Sequence, residues 1–216
     1  MQAPKPQNKP RELVPAGSHM ARVVGIIYLG TVKGSWQGKE TESYKIRLTW
    51  ELPNEMRKFK EDEPEKPMVI SKEVGFSMGK KSTLRPIVEG IIGTSLTDEE
   101  AYGFDIEKLI GMPCIISVIQ EEKGDFGKFS TMKTAAPLMK GTECPPQITE
   151  TKILSYDSWN QEYFDSLPDF IKDKIKSTPE YNRMQMKNDP NNEFAQLRRA
   201  NNTKVESTIN PDEIPF

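Results

Sequence analysis

The sequence contains few of the residues that build covalent cross-links and metal sites. Its 216 residues include two cysteines, 30 positions apart, and one histidine, His19. Two cysteines do not make the disulfide framework of a small secreted protein, and with a single histidine they do not complete an ordinary four-ligand zinc site. We therefore expect no cofactor, no metal and a reducing cytoplasm as the compartment.

Long apolar segments are also missing. Hydrophobic residues make up 35% of the chain, a low share for a fully packed domain, and there are 17 prolines. No apolar run approaches the roughly 18 residues that a membrane-spanning helix requires. Residues 1–5 (MQAPK) do not begin the apolar stretch of a secretory signal. The sequence therefore predicts a protein without a membrane partner, part of which is not packed into a core.

The central part of the chain lacks an excess of either charge. Residues 14–140 hold 18 basic and 18 acidic residues, whereas residues 1–13 carry a net charge of +2 and residues 141–216 carry −4. This balance excludes a globally basic nucleic-acid binder. It fits a neutral domain with a local basic face, followed by an acidic tail. Residues 1–13 are rich in Pro, Gln and Lys and are expected to be disordered.

Five segments carry the β-branched or alternating apolar patterns of strands. They are residues 20–29, 43–52, 68–78, 112–121 and 128–136. The second alternates most cleanly, with Ile46, Leu48 and Trp50 on one face and Lys45 and Arg47 on the other. The last two are expected to pair as a hairpin around a glycine-containing turn. A polar turn should follow the first strand, and a charged loop should precede the third.

A helical pattern lies between the third and fourth predicted strands. Apolar residues recur at helical spacing over residues 84–91, behind the N-cap candidates Ser82 and Thr83. Thr97 begins a capping-box pattern, and Asp105 can cap another short helix.

The order β-β-β-α-β-β is that of an OB-fold, a mainly β five-stranded Greek-key barrel, which we predict for residues 14–140. An SH3-like barrel or a small α+β sandwich would give a similar pattern, so both remain open. Residues 141–181 are interpreted as a linker and an amphipathic helical segment, interrupted at Pro168 and closed by Pro179. Residues 182–216 are expected to be a disordered acidic tail. The apolar residues of the helical segment are Trp159, Phe164, Leu167, Phe170, Ile171 and Ile175.

Basic and aromatic residues are interleaved on or beside the predicted strands. Proteins that bind single strands without sequence preference use cations to follow the phosphates and rings to stack on the bases. The candidate cations are Lys45, Arg47, Lys72, Lys80, Lys81, Lys128 and Lys133. The candidate stacking rings are Trp36, Phe59, Phe126 and Phe129. Ordinary surface charge and core packing are the competing interpretation, and a core position is favoured for Tyr44 and Trp50.

Catalytic patterns are weak. Residues 79–83 (GKKST) precede a predicted helix but lack the spacing of a phosphate-binding loop. No serine or cysteine is placed as a partner for His19, and Cys114 lies in an apolar strand that predicts a core position. We therefore predict that the protein is not an enzyme.

The last five residues form the most specific motif in the sequence. Asp212, Glu213, Ile214, Pro215 and Phe216 end a polar tail on two large apolar side chains, which suits binding by a partner. The segment resembles the C-terminal tip of bacterial single-stranded DNA-binding proteins, which recruits replication and repair enzymes. The resemblance implies a protein-interaction motif here, with a weaker electrostatic part because only two acidic residues precede the apolar ones.

Four further segments resemble a family of bacteriophage-encoded OB-fold proteins of single-stranded DNA binding or replication. They are residues 15–22 (PAGSHMAR), 47–53 (RLTWELP), 104–114 (FDIEKLIGMPC) and 166–171 (SLPDFI). The resemblance extends over residues 14–181 and implies a phage protein that acts in the cytoplasm of an infected bacterium. It identifies no binding residue.

Together these features predict a non-enzymatic protein that coats single-stranded DNA and recruits replication and recombination enzymes through its C-terminal tip. The alternative is a phage adaptor protein that binds host proteins and contacts nucleic acid only incidentally. The sequence also leaves open RNA as the ligand and a homo-oligomer as the working form.

Overall fold

Six strands and six helical segments make up the described part of the chain. The computed structural model describes residues 12–36, 38–122, 124 and 127–188. The strands are β1 (Gly17–Trp36), β2 (Lys39–Arg57), β3 (Lys66–Gly75), β4 (Pro113–Glu122), β5 (Lys128–Ala136) and β6 (Lys152–Leu154). The helices are α1 (Leu84–Ile92), α2 (Asp98–Tyr102), a 3-10 helix (Ile106–Leu109), α3 (Gln161–Ser166), α4 (Asp169–Lys176) and α5 (Pro179–Asn188). None of these described helices is long and apolar enough to cross a membrane.

Five strands form an open antiparallel sheet in the order β3-β2-β1-β4-β5. Besides β2, the long strand β1 has two other neighbours. Its residues 17–22 pair with β4, and its residues 25–27 pair in parallel with β6. The outer strands β3 and β5 approach each other, and Lys72 Nζ donates to the backbone oxygen of Met132 at 2.5 Å. The mainly β architecture and the predicted order of elements are confirmed.

The strand boundaries differ from those predicted from the sequence. β1 and β2 stay paired as far as Trp36 and Lys39, so the polar turn predicted after the first strand is mostly strand. β2 also runs to Arg57, into the predicted charged loop, whereas β3 ends at Gly75. Apolar periodicity in the sequence indicates only which residues are buried. The hydrogen-bond ladder of a hairpin also continues through polar residues that are exposed on both faces and leave no such pattern.

The first hydrophobic core lies between one face of the sheet and α1. Leu48 and Trp50 are fully buried there, as their alternation predicts, beneath Leu84 and Val88 of α1. Cys114 is buried in the same core, and burial raises the pKa of its thiol to about 12. The predicted core positions of Trp50 and Cys114 are therefore confirmed.

The predicted helix caps are present with one refinement. Thr97 and Glu100 form the capping box of α2, and Asp105 caps the 3-10 helix. At α1, Thr83 makes no side-chain cap bond, whereas Ser82 Oγ accepts from a backbone N–H three residues later at 3.3 Å.

Gly90 allows α1 to pack directly on β5. A Cβ at this position would lie 2.1 Å from the backbone oxygen of Ala135, and backbone cannot yield as the end of a flexible side chain can. Gly90→Ala should therefore lower the free energy of unfolding by about 1–3 kcal/mol in chemical denaturation, although alanine favours a helix by about 1 kcal/mol. Gly75→Ala is the matched control, because its Cβ meets nothing within 4 Å. Wild-type stability of Gly90→Ala would contradict this packing.

A second hydrophobic core, which the sequence did not predict, lies on the opposite face of β1. Side chains alternate along a strand, so Ile26 faces the first core while Ile27 faces the second. The C-terminal helices cover this face of the sheet with their apolar sides. The buried members of the second core are Ile27, Leu29, Leu154, Phe164, Leu167, Ile171 and Ile175.

The helical segment extends further than its sequence predicts. α3 and α4 meet at Pro168, as expected, but Pro179 begins α5 instead of closing the segment. Proline is well suited to the first turn of a helix, where its missing N–H is not needed. Residues 182–188 are therefore helical, and their prediction as disordered tail is wrong. Glu180 fastens α5 to β1 by accepting from the N–H and hydroxyl of Thr31, both at 2.8 Å.

Residues 137–151, which we call the strap, connect β5 to β6 and are tied to the sheet by two charged side chains. Arg22 donates to two backbone oxygens of the strap. The carboxylate of Glu51 is fully buried and accepts from the N–H groups of Ile148, at 3.2 Å, and Thr149. These bonds satisfy a carboxylate that would otherwise be costly to bury.

Candidate nucleic-acid interface

The predicted cations of β2 and β3 do not share one face of the sheet. Lys45 and Arg47 lie on the face opposite the first core. Lys72 pairs in register with Leu48, so it projects to the side of the first core. Burial lowers the pKa of Lys72, and the charge of Lys133 adds to this effect. The structure therefore separates Lys72 from the face on which Arg47 lies and brings it near Lys133 instead.

The other predicted cations are divided between two places. Lys80 and Lys81 lie in the turn before α1, where Lys80 is paired with an aspartate of α2 at 3.1 Å. Lys128, Phe129 and Lys133 lie on β5, and Lys133 is paired with a glutamate of β4 at 2.6 Å.

The predicted stacking rings are only partly described. Phe59 lies in the turn between β2 and β3 and is 56% exposed. The side chain of Trp36, the residue Phe126 and the tail motif of residues 212–216 lie outside the described residues, as do residues 1–11. The predictions made for them stay predictions.

Cations, hydroxyls and an exposed ring meet on the face of the sheet opposite α1. The second core holds α4 against this face, so side chains of the C-terminal segment lie beside those of β2 and β3. We call this the outer surface. It comprises Arg47, Thr49, Ser71, Glu73, Lys152, Tyr163, Phe170 and Lys174.

Glu73 holds two cations of the outer surface in place. Its carboxylate lies 3.2 Å from Arg47 Nη1 and 2.5 Å from Lys174 Nζ, on separate oxygens. The guanidinium of Arg47 also lies 5.9 Å from the centre of the Phe170 ring. One carboxylate against two cations leaves a local excess of positive charge, and the fixed geometry lowers the entropy lost when an anion binds.

A third cation lies at the border of the outer surface. Lys152 Nζ is 5.4 Å from the centre of the Tyr163 ring and 3.4 Å from a carboxylate oxygen of Glu150. Burial raises the pKa of the Tyr163 phenol, against a smaller opposing effect of Arg47. The phenol therefore stays neutral at physiological pH and adds no negative charge that would repel phosphate.

The outer surface also offers a ring and two hydroxyls. Phe170 is 56% exposed, so most of its ring is available for stacking on a base. The hydroxyls of Thr49 and Ser71 lie 2.9 Å apart on neighbouring strands and can each serve as donor or acceptor. This combination matches what sequence-tolerant binding of a single strand requires.

Sequence reasoning found Arg47 but missed Lys152, Tyr163, Phe170 and Lys174. The apolar pattern counted Phe170 among the residues of one amphipathic stripe. The break at Pro168 restarts the helical phase, and in α4 the buried residues are Ile171 and Ile175, four positions apart. That i, i+4 spacing is the signal that places the neighbouring phenylalanine outside the buried stripe.

Exposed apolar side chains border the outer surface. Val69 of β3 is 47% exposed and pairs in register with Glu51. Ile148 of the strap is 59% exposed, and its N–H bonds to the same glutamate. Two exposed apolar residues therefore neighbour one buried carboxylate, where they are accessible to a base, a sugar or a protein.

Comparison with known proteins does not assign the chain to a group. No protein-family model matches it, and no curated protein matches its sequence significantly. Within the described residues, no group of three or more His, Cys, Asp or Glu side chains is arranged to hold a metal ion.

Proposed function

We propose that this protein binds single-stranded DNA on its outer surface and is not an enzyme. The observation that carries the proposal is the exposed Phe170 ring beside Arg47 and Lys174, on the same face as the hydroxyls of Thr49 and Ser71. The ring supplies a stacking platform that accepts any base, and the cations supply contacts to the backbone phosphates.

We further propose that the sheet is an OB-fold. The sheet order β3-β2-β1-β4-β5 and the helix between β3 and β4 support this assignment. So does the approach of β3 to β5 through Lys72 and Met132, at the place where a five-stranded barrel would close. OB-folds bind oligonucleotides on the face of their second and third strands. The outer surface is built on those two strands.

The electrostatic part of this binding should be small and measurable. Arg47, Lys152 and Lys174 can neutralise about three phosphates, which predicts a slope of log K against log salt of about −2 for a single strand. Arg47→Gln should bring the slope closer to zero by about 0.7. Fluorescence anisotropy with a labelled thymidine oligonucleotide of about 20 nucleotides measures both. Lys80→Gln is the control, because it removes an exposed cation that lies away from the outer surface.

Two outcomes of that titration would overturn the proposal. The first is equal affinity for the single strand and for a duplex of the same length, because stacking on Phe170 requires unpaired bases. The second is a salt slope that Lys80→Gln changes and Arg47→Gln does not. The absence of any nucleic-acid binding would favour the adaptor function, which the exposed apolar residues Val69 and Ile148 support.

The tail motif completes the proposed function. We propose that Ile214, Pro215 and Phe216 bind a replication or recombination enzyme of an infected bacterium, with Asp212 and Glu213 contacting its basic rim. A peptide of residues 205–216 should bind such an enzyme in calorimetry, and the same peptide with Phe216→Ala should bind much more weakly, because it loses its apolar anchor. Equal binding of the two peptides to every candidate enzyme would contradict this role.

A further inference from the structure

A cleft with aromatic walls and an acidic rim shares no lining residue with the outer surface. Its volume is about 610 Å³. It lies between the middle of β1 and β2, the residue after β3, the 3-10 helix and the segment that joins β6 to α3. The lining residues are Tyr28, Tyr44, Phe76, Glu107, Ser155, Tyr156, Asp157 and Ser158.

Three rings, from β1, β2 and the residue after β3, form one wall of the cleft. The Tyr28 and Phe76 rings meet edge to face at 5.6 Å between centres, and the Tyr44 ring is tilted against Phe76 at 5.7 Å. Phe76 is 41% exposed, so the cluster is not closed off as a core would be. Tyr44, for which a core position was predicted, packs at the edge of the first core and lines this cleft.

The charged residues that line the cleft are both acidic. Glu107 and Asp157 line it, and no lysine or arginine is among its described lining residues. Burial, followed by the neighbouring Glu107, raises the pKa of Tyr28 well above its usual range. The phenols therefore stay neutral, and the two carboxylates supply negative charge. A phosphate would be repelled here, so the cleft does not suit the backbone of a nucleic acid.

We propose that this cleft binds an arginine side chain of a partner polypeptide. A guanidinium attracts aromatic faces through the ring quadrupole, and its planar fork of N–H donors matches carboxylate acceptors. Phe76, Tyr28 and Tyr44 supply the faces, and Glu107 and Asp157 supply the acceptors. This interaction goes beyond the proposed DNA binding, uses different residues and does not depend on it.

The test is an NMR titration of the full chain with two blocked tripeptides. One peptide carries arginine between glycines, and the other carries the neutral isostere citrulline. The arginine peptide should shift the amide signals of Phe76, Glu107 and Asp157, and the citrulline peptide should bind about tenfold more weakly, because it lacks the charge. Equal affinity of the two peptides, or no shifts up to about 20 mM, would overturn the proposal.

Variants locate the arginine site within the molecule. Phe76→Ala and Glu107→Gln should each lower the affinity for the arginine peptide by about two- to fivefold. Tyr102→Ala removes a ring that is 74% exposed on α2 and does not line the cleft, so it should leave the affinity unchanged. Thermal unfolding of each variant separates a local loss from unfolding. Both cleft variants should keep wild-type affinity for single-stranded DNA, so failure here and failure of the proposed function are distinguishable.

Discussion

Phe164→Ala should lower the free energy of unfolding by about 3–5 kcal/mol, the range for a large aromatic residue removed from a packed core. Phe164 is 2% exposed at the centre of the second core. Its ring lies 4.9 Å from that of Trp159 and 5.6 Å from that of Tyr181. The substitution removes both contacts and leaves a cavity between α3 and the sheet. Denaturant unfolding followed by circular dichroism measures the change.

Phe170→Ala is the matched control for this prediction. Both phenylalanines lie in the C-terminal helical segment, six residues apart, but Phe170 is exposed. Its removal should change the free energy of unfolding by no more than about 0.5 kcal/mol, as expected for a surface position. Equal stabilities of the two variants would contradict the second core and, with it, the placement of α4 beside β2 and β3.

The same control variant should bind single-stranded DNA more weakly. Phe170→Ala should reduce affinity for single-stranded DNA by about 1–3 kcal/mol, or roughly five- to 150-fold, the usual cost of removing a ring on which a base stacks. Phe170→Tyr keeps the ring and should stay close to wild type. Equilibrium titration at fixed salt, with the stability of each variant measured in parallel, gives the comparison.

Phe59→Ala distinguishes two locations for the stacking ring. Phe59 is as exposed as Phe170 but lies in the turn between β2 and β3. If Phe170 is the stacking ring, Phe59→Ala should retain wild-type affinity for single-stranded DNA. A loss confined to Phe59→Ala, with Phe170→Ala unchanged, would move the binding site away from the outer surface.

Local patterns predicted local structure well. The alternation around Leu48 and Trp50 identified the buried face of β2, and the spacing of Thr97 and Glu100 identified the start of α2. These predictions succeed because each depends on residues within one element, and burial or capping leaves a short-range pattern in the sequence.

Predictions that required contacts between distant residues failed. Lys72 was grouped with Lys45 and Arg47, although the register of β2 against β3 places it on the opposite face. The alternation of β2 predicts that Glu51 faces solvent. Its carboxylate is nevertheless buried beneath the strap, where it accepts from Ile148, 97 positions later in the chain. Strand register and long-range packing are tertiary properties, and a polar residue in an alternating strand does not reveal what will cover it.

The candidate site was predicted only in part for the same reason. Its strand half includes Arg47, which the sequence identified. Its helical half exists only because the second core packs α4 on the sheet, and the amphipathic pattern of that segment does not specify which surface it packs against. Sequence reasoning therefore named cations and rings suited to a single strand without predicting the surface on which Arg47, Phe170 and Lys174 meet.

Photocross-linking tests most directly whether the outer surface binds single-stranded DNA. An oligonucleotide that carries iodouracil in place of thymine forms bonds to aromatic side chains that stack on the substituted base. After irradiation and digestion, mass spectrometry should find the nucleotide on Phe170 or Tyr163. Attachment to Trp36, Phe59 or Phe126 instead, with Phe170 and Tyr163 unmodified, would contradict the account.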